Sequence, residues 1–592
     1  MAAATNWLPA AVDLVALGPA LARWLRVAQR EHYIPESAST FAIRWWGSSA
    51  MNAGLMVLGC AGIVFAAFWP LAALAAGVAG ILGPVGLTIR GRTAPLRWTR
   101  RLRTLAAVTA LVLGGVMVAG AAFGREAVVG AALVMGVPAA VDLACYISLP
   151  FESLLLKRHL RRAAARLAKV GLRIVAVTGS YGKTSTKLYV AHLLAGTRST
   201  VATPGSYNNL AGLARTVNEQ VGDGTEVLVA EMGAYRPGEI RELCNWFPPD
   251  VAVITAVGPV HLERFRTEER VLAAKSEIAE KAPVVVLQVD DKRLAALASA
   301  LEASGKRVVR CSGGNPGGGL EGGREVRDTD VAVLVQEGTV QGTRGAQGES
   351  SSKLADGEPI RRYSVFVEGK LIGDGLAIEG SPSNVACAAG VAVAMGLSGQ
   401  EIAGLAGSLP QPAHRLEVVA SAGGCMVLDD TYNSNPAGCR EALRRLGQVA
   451  GGSGRENGRV VVVTPGMVEL GRIQAEENER FGKVAAEVAT DLLVVGRTNR
   501  SALLAGARRA GAIGEAVGPS EGSGAPRATE HQAATAEARL GEDASDPGSG
   551  ISHRQCRVRT VATRDDAVRW ARENLGPGDV VLYENDLPDH YP

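Results

Sequence analysis

The chain has 592 residues, 47% hydrophobic and 20% charged, with mean hydropathy +0.12; this excludes a disordered chain and, at roughly 150 residues per domain, a single compact one. The net charge of +4 supplies no argument for nucleic acid, and no nucleic-acid partner is expected. Eight scattered cysteines, without CxxC or zinc-like spacing, read as free thiols in a reducing compartment.

From the N-terminus, Trp7–Ala22 is apolar but contains Asp13 and follows no basic region, so it reads as an interfacial helix rather than a cleaved signal peptide. Between Arg44 and Arg90 lie 45 uncharged residues, enough for two crossings at ~20 residues each. Met51–Phe68 and Leu71–Ile89 are therefore expected to form a helical hairpin that turns at Pro70. Arg90 to Arg103 carries six arginines and no acid, and Thr104–Gly124 and Ala127–Leu149 follow as two more spans. About four transmembrane helices thus occupy residues 1–150. Arg23, Arg26, Arg30 and Arg44 precede the first span, and Lys157, Arg158, Arg161, Arg162, Arg166 and Lys169 follow the last. By the positive-inside rule both termini are cytoplasmic. The expected location is a multi-pass protein of the cell membrane, in contact with its lipids, with the later domains in the cytoplasm. Asp142, inside the last span, reads as a helix contact or a snorkelling residue.

The next signal is a strand, Leu172–Val177, then Thr178-Gly-Ser-Tyr-Gly-Lys-Thr-Ser185 and a helical pattern to Leu194. Strand, glycine loop and helix stand in the order of a phosphate cradle. Gly179, Ser180, Gly182 and Ser185 line it, Lys183 brings charge to the outer phosphates, and the Thr184 hydroxyl can reach Mg²⁺. The full Walker pattern would have Gly where this chain has Val177. Only 11 residues are lysine against 51 arginine, so a lysine at a motif position stands out.

Several later stretches, in the same order, resemble the Mur ligase family, which joins amino acids or peptides to a carboxylate using ATP. They are the shortened loop itself, Ser206-Tyr-Asn-Asn-Leu-Ala-Gly212, Ala230-Glu-Met-Gly-Ala234, and Thr255-Ala-Val-Gly-Pro-Val-His261 followed by Lys275. Leu428-Asp-Asp-Thr-Tyr-Asn-Ser-Asn-Pro436 and Met467-Val-Glu-Leu-Gly471 point to the MurF-type branch in particular. The resemblance covers about 170 to 592, with gaps. It implies ATP and Mg²⁺ as cofactors and a fold of the α/β class: a P-loop central domain at 165–408 and a Rossmann-like C-terminal domain at 409–592, behind the membrane region.

The residues carry their own physics beside the resemblance. Glu231 ends the apolar strand Glu226–Glu231 at the carboxyl edge, where open α/β sheets bind ligands, and a hard carboxylate there suits Mg²⁺. His261 follows the strand Val251–Val257 at the same edge. Lys275 lies on a helix, Glu268–Glu280, where the plain alternative is a salt-bridging face. The resemblance implies that Lys275 is carbamylated and, with Thr184, Glu231 and His261, serves the metal. Asn384 opens an alanine-rich helix, either as its N-cap or as a nucleotide contact; the family's neighbouring histidine is here Gly380. Arg415 follows the linker Leu409–Pro412 and would touch the γ-phosphate. Asp430 would hold the ribose and Asn433 the base or the turn, at the end of the strand Cys425–Leu428. Further strands are read at Val460–Thr464, Asp491–Val495 and Asp579–Tyr583, with a helix at Ile473–Ala489.

Ser312–Arg324, with seven glycines in 13 residues, and roughly Arg509 to Cys556 read as flexible insertions. The C-terminal Leu582-Tyr-Glu-Asn-Asp586 departs from the LKGS pattern of the MurF-type branch. Residues 1–150 leave no room for the soluble domain with which such enzymes hold a uridine nucleotide. The expected activity is an ATP-dependent amide (peptide) ligation through an acyl phosphate, adding an amino acid or dipeptide to a cell-wall precursor in peptidoglycan synthesis. Its partners would be a carboxylate acceptor, muropeptide-like or lipid-linked, and an amine donor. The alternatives are a polyglutamate-type amide ligase and a membrane-anchored ATP-binding scaffold without ligase activity.

Overall fold

The structure is a computed structural model that describes residues 2–87, 96–205, 207–314, 329–336, 362–377, 380–410, 417–420, 423–431, 434–452, 458–514 and 555–587. The chain divides into two compact units, one of Met1–Arg415 with Val468–Gln474 and Asp586–Pro592, the other of Leu416–Met467 with Ala475–Asn585.

The first unit begins with helices α1 (Ala2–Arg30), α2 (Ser37–Trp46), α3 (Ala50–Ala66), α4 (Leu74–Leu82), α5 (Arg100–Ala122) and α6 (Glu126–Val170). Their outer faces carry exposed Val57, Phe65, Leu111, Val118 and Phe123, apolar surface of a kind that water does not favour and lipid does. Small residues meet inside, with Ala73, Ala76, Ala79, Ala127 and Ala131 all buried, so the backbones approach as they do in membrane bundles. Among the described residues, three helices are long and apolar enough to cross a membrane, or up to four if the pair α2 and α3, bent by 112°, is one span.

One expected span is corrected, and the first apolar stretch is longer than expected. The first apolar stretch belongs to α1, of which Leu8–Arg30 is long and apolar enough to cross a membrane. Asp13 within it is buried, its carboxyl packed in the room that Gly77 and Gly130 leave by having no Cβ. The expected span Leu71–Ile89 is instead a short apolar helix, Pro70–Leu82, though α3 and α4 do pack as a hairpin turned at Trp69-Pro70. Asp142 makes a helix contact: its carboxylate accepts from the backbone N–H groups of Ala38 (3.1 Å) and Ser39 (2.8 Å) and so caps α2.

Helix α6 does not stop at the apolar bundle. It runs 45 residues, with Pro138 and Pro150 inside it, through the expected boundaries at 150 and 165. Leu160 and Ala163 on its last turns are buried in the same core as Leu213 and Val217 of α8 (Leu210–Gln220).

The first unit then builds a nine-stranded sheet in the order β2-β3-β1-β4-β5-β6-β7-β8-β9. Its strands are β1 (Arg173–Thr178), β2 (Thr200–Ala202), β3 (Val227–Glu231), β4 (Val251–Ile254), β5 (Val284–Gln288), β6 (Arg307–Ser312), β7 (Val331–Gln336), β8 (Arg362–Val367) and β9 (Lys370–Ala377). β1 to β7 pair in parallel, and β8 and β9 close the edge antiparallel. Both faces are covered, so the parallel strands are continuous apolar runs such as Ile174–Val177.

The second unit holds a seven-stranded sheet, order β10-β11-β16-β12-β13-β15-β14, made of β10 (Glu417–Ala420), β11 (Met426–Asp430), β12 (Val460–Thr464), β13 (Asp491–Val495), β14 (Ile513–Gly514), β15 (Arg557–Val561) and β16 (Val580–Glu584). All but β10 run parallel. This is the expected Rossmann-like arrangement. The glycine-rich stretch after Gly314 and most of 509–556 lie outside the described residues.

Candidate active site

The carboxyl ends of β1, β3 and β4 stand side by side, and their loops assemble the site. β1 leads into the Gly179–Gly182 turn and then helix α7 (Lys183–Ala195). Gly179 has φ 151 and a Cβ there would lie 2.1 Å from Thr255 Oγ1; Gly182 has φ 76, and a Cβ would lie 2.1 Å from Asn384 Oδ1. Only glycine permits both the turn and the close approach. Ser180 Oγ accepts from the Gly258 N–H at 3.0 Å, which ties this loop to the one after β4. Lys183 Nζ donates to Gly179 O (2.9 Å) and Ser180 O (3.3 Å), so its ammonium lies over the loop it would serve. Ser185 sits in the first turn of α7.

Glu231 closes β3 and is 2% exposed. Thr184 Oγ1 donates to it at 3.0 Å, Lys187 Nζ at 3.2 Å and Asn208 Nδ2 at 3.3 Å. Lys187 itself is buried and also donates to Gly205 O at 3.0 Å. Thr184 and Glu231 thus put two hard oxygens together beside the phosphate loop, a donor set that suits Mg²⁺.

Lys275 is 2% exposed, so it does not belong to a solvated salt-bridging face. Burial pushes its ammonium down to about 7, and repulsion from Lys183 adds to this, while Glu239, Glu277 and Glu231 pull the other way. The same fields show that Lys183, Glu231 and Lys275 share one electrostatic site. Glu277 is fixed beside them by the N–H groups of Gly238 (2.7 Å) and Arg241 (3.0 Å).

His261 has φ 51, an uncommon conformation for a residue with a side chain. Its Nδ1 pairs with Glu469, and its ring meets the Tyr235 ring edge-on at 4.9 Å between centroids. Asn384 is the third residue of its helix; the N-cap position is Ser381. Asn384 lies against Gly182 instead, which brings it to the phosphate loop. Arg415 and Asn433 lie outside the described residues.

In the second unit, Asp430 ends β11 opposite Glu584 of β16. Glu584 is wholly buried, and burial pushes its carboxyl up against the pull of its hydrogen bonds. Ser434, Cys439 and Thr464 all donate to it, so the Asx-rich loop after β11 is anchored from within.

Lys187, Tyr235 and Glu469 were not foreseen as site residues. Lys187 had one legible signal, its place one helical turn after Lys183 in a chain with few lysines.

The profile of the Mur ligase middle domain matches residues 177–350, and that of the Mur ligase glutamate ligase domain matches 414–583. A UDP-N-acetylmuramoyl-tripeptide--D-alanyl-D-alanine ligase of Mycobacterium leprae is 34% identical over 352 residues, 58% of this chain and 64% of that relative. Its counterpart in Mycobacterium bovis is 32% identical over 425 residues, 71% of each chain. The chain thus spans just under two thirds of the first relative and somewhat more of the second. Among solved structures, MurF from Acinetobacter baumannii aligns with TM-score 0.51 at 21% identity, over 73% of this chain and 77% of that one. MurF from Thermotoga maritima in complex with ADP aligns with TM-score 0.50 at 22% identity, over 73% and 80%. These structures share the fold, and together with the profiles and the relatives they establish that the chain belongs to the Mur ligase family.

Proposed function

We propose that this chain is a membrane-anchored ATP-dependent ligase of the MurF type, which activates a carboxylate as an acyl phosphate and joins it to an amine in peptidoglycan synthesis. The observation that carries this reading is the meeting of the Lys183–Thr184 loop with Glu231 at the carboxyl edge of one sheet in a chain of this family, with Lys275 buried on a nearby helix.

In the first step a carboxylate oxygen attacks the γ-phosphorus of ATP and ADP leaves; in the second, an amine attacks the acyl carbon, and phosphate and a proton leave. Little covalent chemistry is left to the protein, whose task is positioning and charge neutralisation. Lys183 would turn from its own loop carbonyls to the phosphates, and backbone N–H groups of Gly179–Ser185 would cradle them. Thr184 and Glu231 would hold Mg²⁺, which supplies charge neutralisation at the phosphates. His261 and a carbamylated Lys275 would complete the acceptor side, Asn384 and Arg415 would touch the nucleotide, and Asp430 and Asn433 would receive its ribose and base.

The acceptor is a muropeptide carried on a lipid. Support comes from the apolar N-terminal helices, three of them long enough to cross a membrane, and from α6, which joins them to the core of the nine-stranded sheet. Full-length protein in nanodiscs is incubated with ATP, Mg²⁺, D-Ala-D-Ala and either a lipid-linked or a UDP-linked muropeptide, and the products are read by mass spectrometry. An amide product from the lipid-linked acceptor is expected. Equal turnover of the UDP-linked one would remove the lipid from the reading, and ATP turnover without any amide would remove the ligase.

A further inference from the structure

The membrane region meets the site at a place no motif marks. Between α1 and α2 the chain turns through Glu31–Glu36, where His32 (φ 57), Tyr33 (φ 61) and Glu36 (φ 70) all take left-handed backbone conformations. Each costs on the order of 1–3 kcal/mol unless the surroundings over-determine it. Here they do. Gln29 Nε2 donates to Arg97 O at 2.7 Å and Arg97 N returns to Gln29 Oε1 at 3.0 Å. The Tyr33 hydroxyl lies 3.4 Å from Thr99 Oγ1, with the Arg101 guanidinium 4.2 Å over its ring. Tyr146 of α6 donates to Glu36 at 2.7 Å, and Asp142 caps the helix that follows. The turn is therefore held both by its own backbone hydrogen bonds, such as Tyr33 N–H to Ala28 O at 2.7 Å, and by contacts from α6, α5 and the residues just before α5.

The turn faces the ligase site. Glu31 and Arg264 form an ion pair at 3.1 Å, their side chains only 13% and 29% exposed. The Arg264 guanidinium in turn lies 4.7 Å over the Tyr235 ring, and the His32 ring is 6.2 Å from that same ring. Tyr235 meets His261 edge-on. Arg44 of α2 reaches Glu263 at 3.8 Å, beside the same loop. A chain of contacts thus runs from the end of α1 to the histidine at the site. The phosphates take the Gly179–Ser185 loop, which leaves the loops after β3 and β4, with Tyr235 and His261, for the other reactant.

We infer that Glu31 is a positioning residue for ligation: through Arg264 and Tyr235 it fixes the loop that carries His261, so the membrane region furnishes part of the acceptor side of the site. The inference rests on the proposed ligase reading for its kinetic consequence, and on the contacts alone for its structural one. A mere tether would leave the site unchanged when Glu31 is neutralised. Glu31 instead sets how well the acceptor is seated while leaving the nucleotide cradle alone.

The test uses full-length protein in nanodiscs and the variants Glu31→Gln, Arg264→Met and the double variant. Each single variant is expected to lower kcat/KM for the acceptor by about tenfold while KM for ATP stays within about twofold. The double variant should be no worse than the worse single one, because the two side chains act as one pair. Additive losses, or a rise in KM for ATP equal to that for the acceptor, would overturn the inference. Hydrogen exchange over residues 232–240 and 258–266 gives a second readout that does not depend on catalysis. Faster exchange in Glu31→Gln is expected, and unchanged exchange rules the inference out whatever the activity. If the wild type forms no amide from any acceptor, the ligase reading fails, and the exchange experiment still decides the role of Glu31.

Discussion

Lys187 keeps a carboxylate inside the protein. Its side chain and that of Glu231 are 1% and 3% exposed, and a buried charge left without its partner costs roughly 3–5 kcal/mol. Lys187→Met is therefore expected to destabilise the protein by that amount in a denaturant titration, with ATP binding weakened as Glu231 loses its orientation; a loss under about 1 kcal/mol would show that water or a metal replaces the lysine. Lys275 makes the opposite use of burial. With its ammonium pushed down to about 7, the neutral amine grows as the pH rises through that value, and it is the neutral form that attacks CO₂, giving a carbamate and a proton. Lys275→Ala should abolish ligation, and ¹³C-bicarbonate should give the wild type a carbamate resonance that the variant lacks. Activity retained in Lys275→Ala, together with indifference to added bicarbonate, would sink this role. Lys183, Thr184 and Glu231 were legible because their spacing from strand ends is itself the signal. Lys187, Tyr235 and Glu469 were not, because their importance depends on which strand lies beside which.

At the scale of elements, several strands that are continuous apolar runs were legible: Val460–Thr464 and Asp491–Val495 were placed to the residue and the strand before the phosphate loop to within one, while Val251–Val257 ends at Ile254 and the apolar run Val284–Gln288 was not read as a strand. The membrane helices were less so. A run of 45 uncharged residues allows two crossings by length, yet the chain spends it on a bent pair and a short hairpin arm, since packing of Ala and Gly faces rather than hydropathy sets where helices end. Asp13, an acid in the first apolar run, is buried where Gly77 and Gly130 leave room for it, a fit that no count of charges along the chain shows. The phosphate loop yields the sharpest prediction at this scale. Gly179→Ala and Gly182→Ala each force a Cβ into a positive-φ turn and within 2.1 Å of a neighbour, so either should abolish ATP binding, as read by calorimetry, with the membrane helices intact by circular dichroism. Wild-type affinity in Gly182→Ala would show that Asn384 can yield.

For the whole molecule, the decisive element is α6. At 1.5 Å per residue its 45 residues measure about 68 Å, unbroken from the apolar bundle to the core under the ATP-binding sheet. An inserted residue adds about 100° of rotation as well as 1.5 Å of length, so the helix sets a phase between the apolar bundle and the site and not only a distance. Two residues inserted after Leu155 would turn the ATP-binding core by about 200° relative to the membrane helices. Such an insertion carries the packing around Leu160 and Ala163 with the helix but parts Glu31 from Arg264 and Arg44 from Glu263, so it should lose ligation of a lipid-borne acceptor by at least about 100-fold, more than Glu31→Gln alone, while retaining ATP binding. Full ligation by that variant would show that the register carries no information. If the register does carry it, the bilayer acts as a reference plane against which the reaction geometry is clocked, and what looks in sequence like an anchor followed by an enzyme is mechanically one shaft.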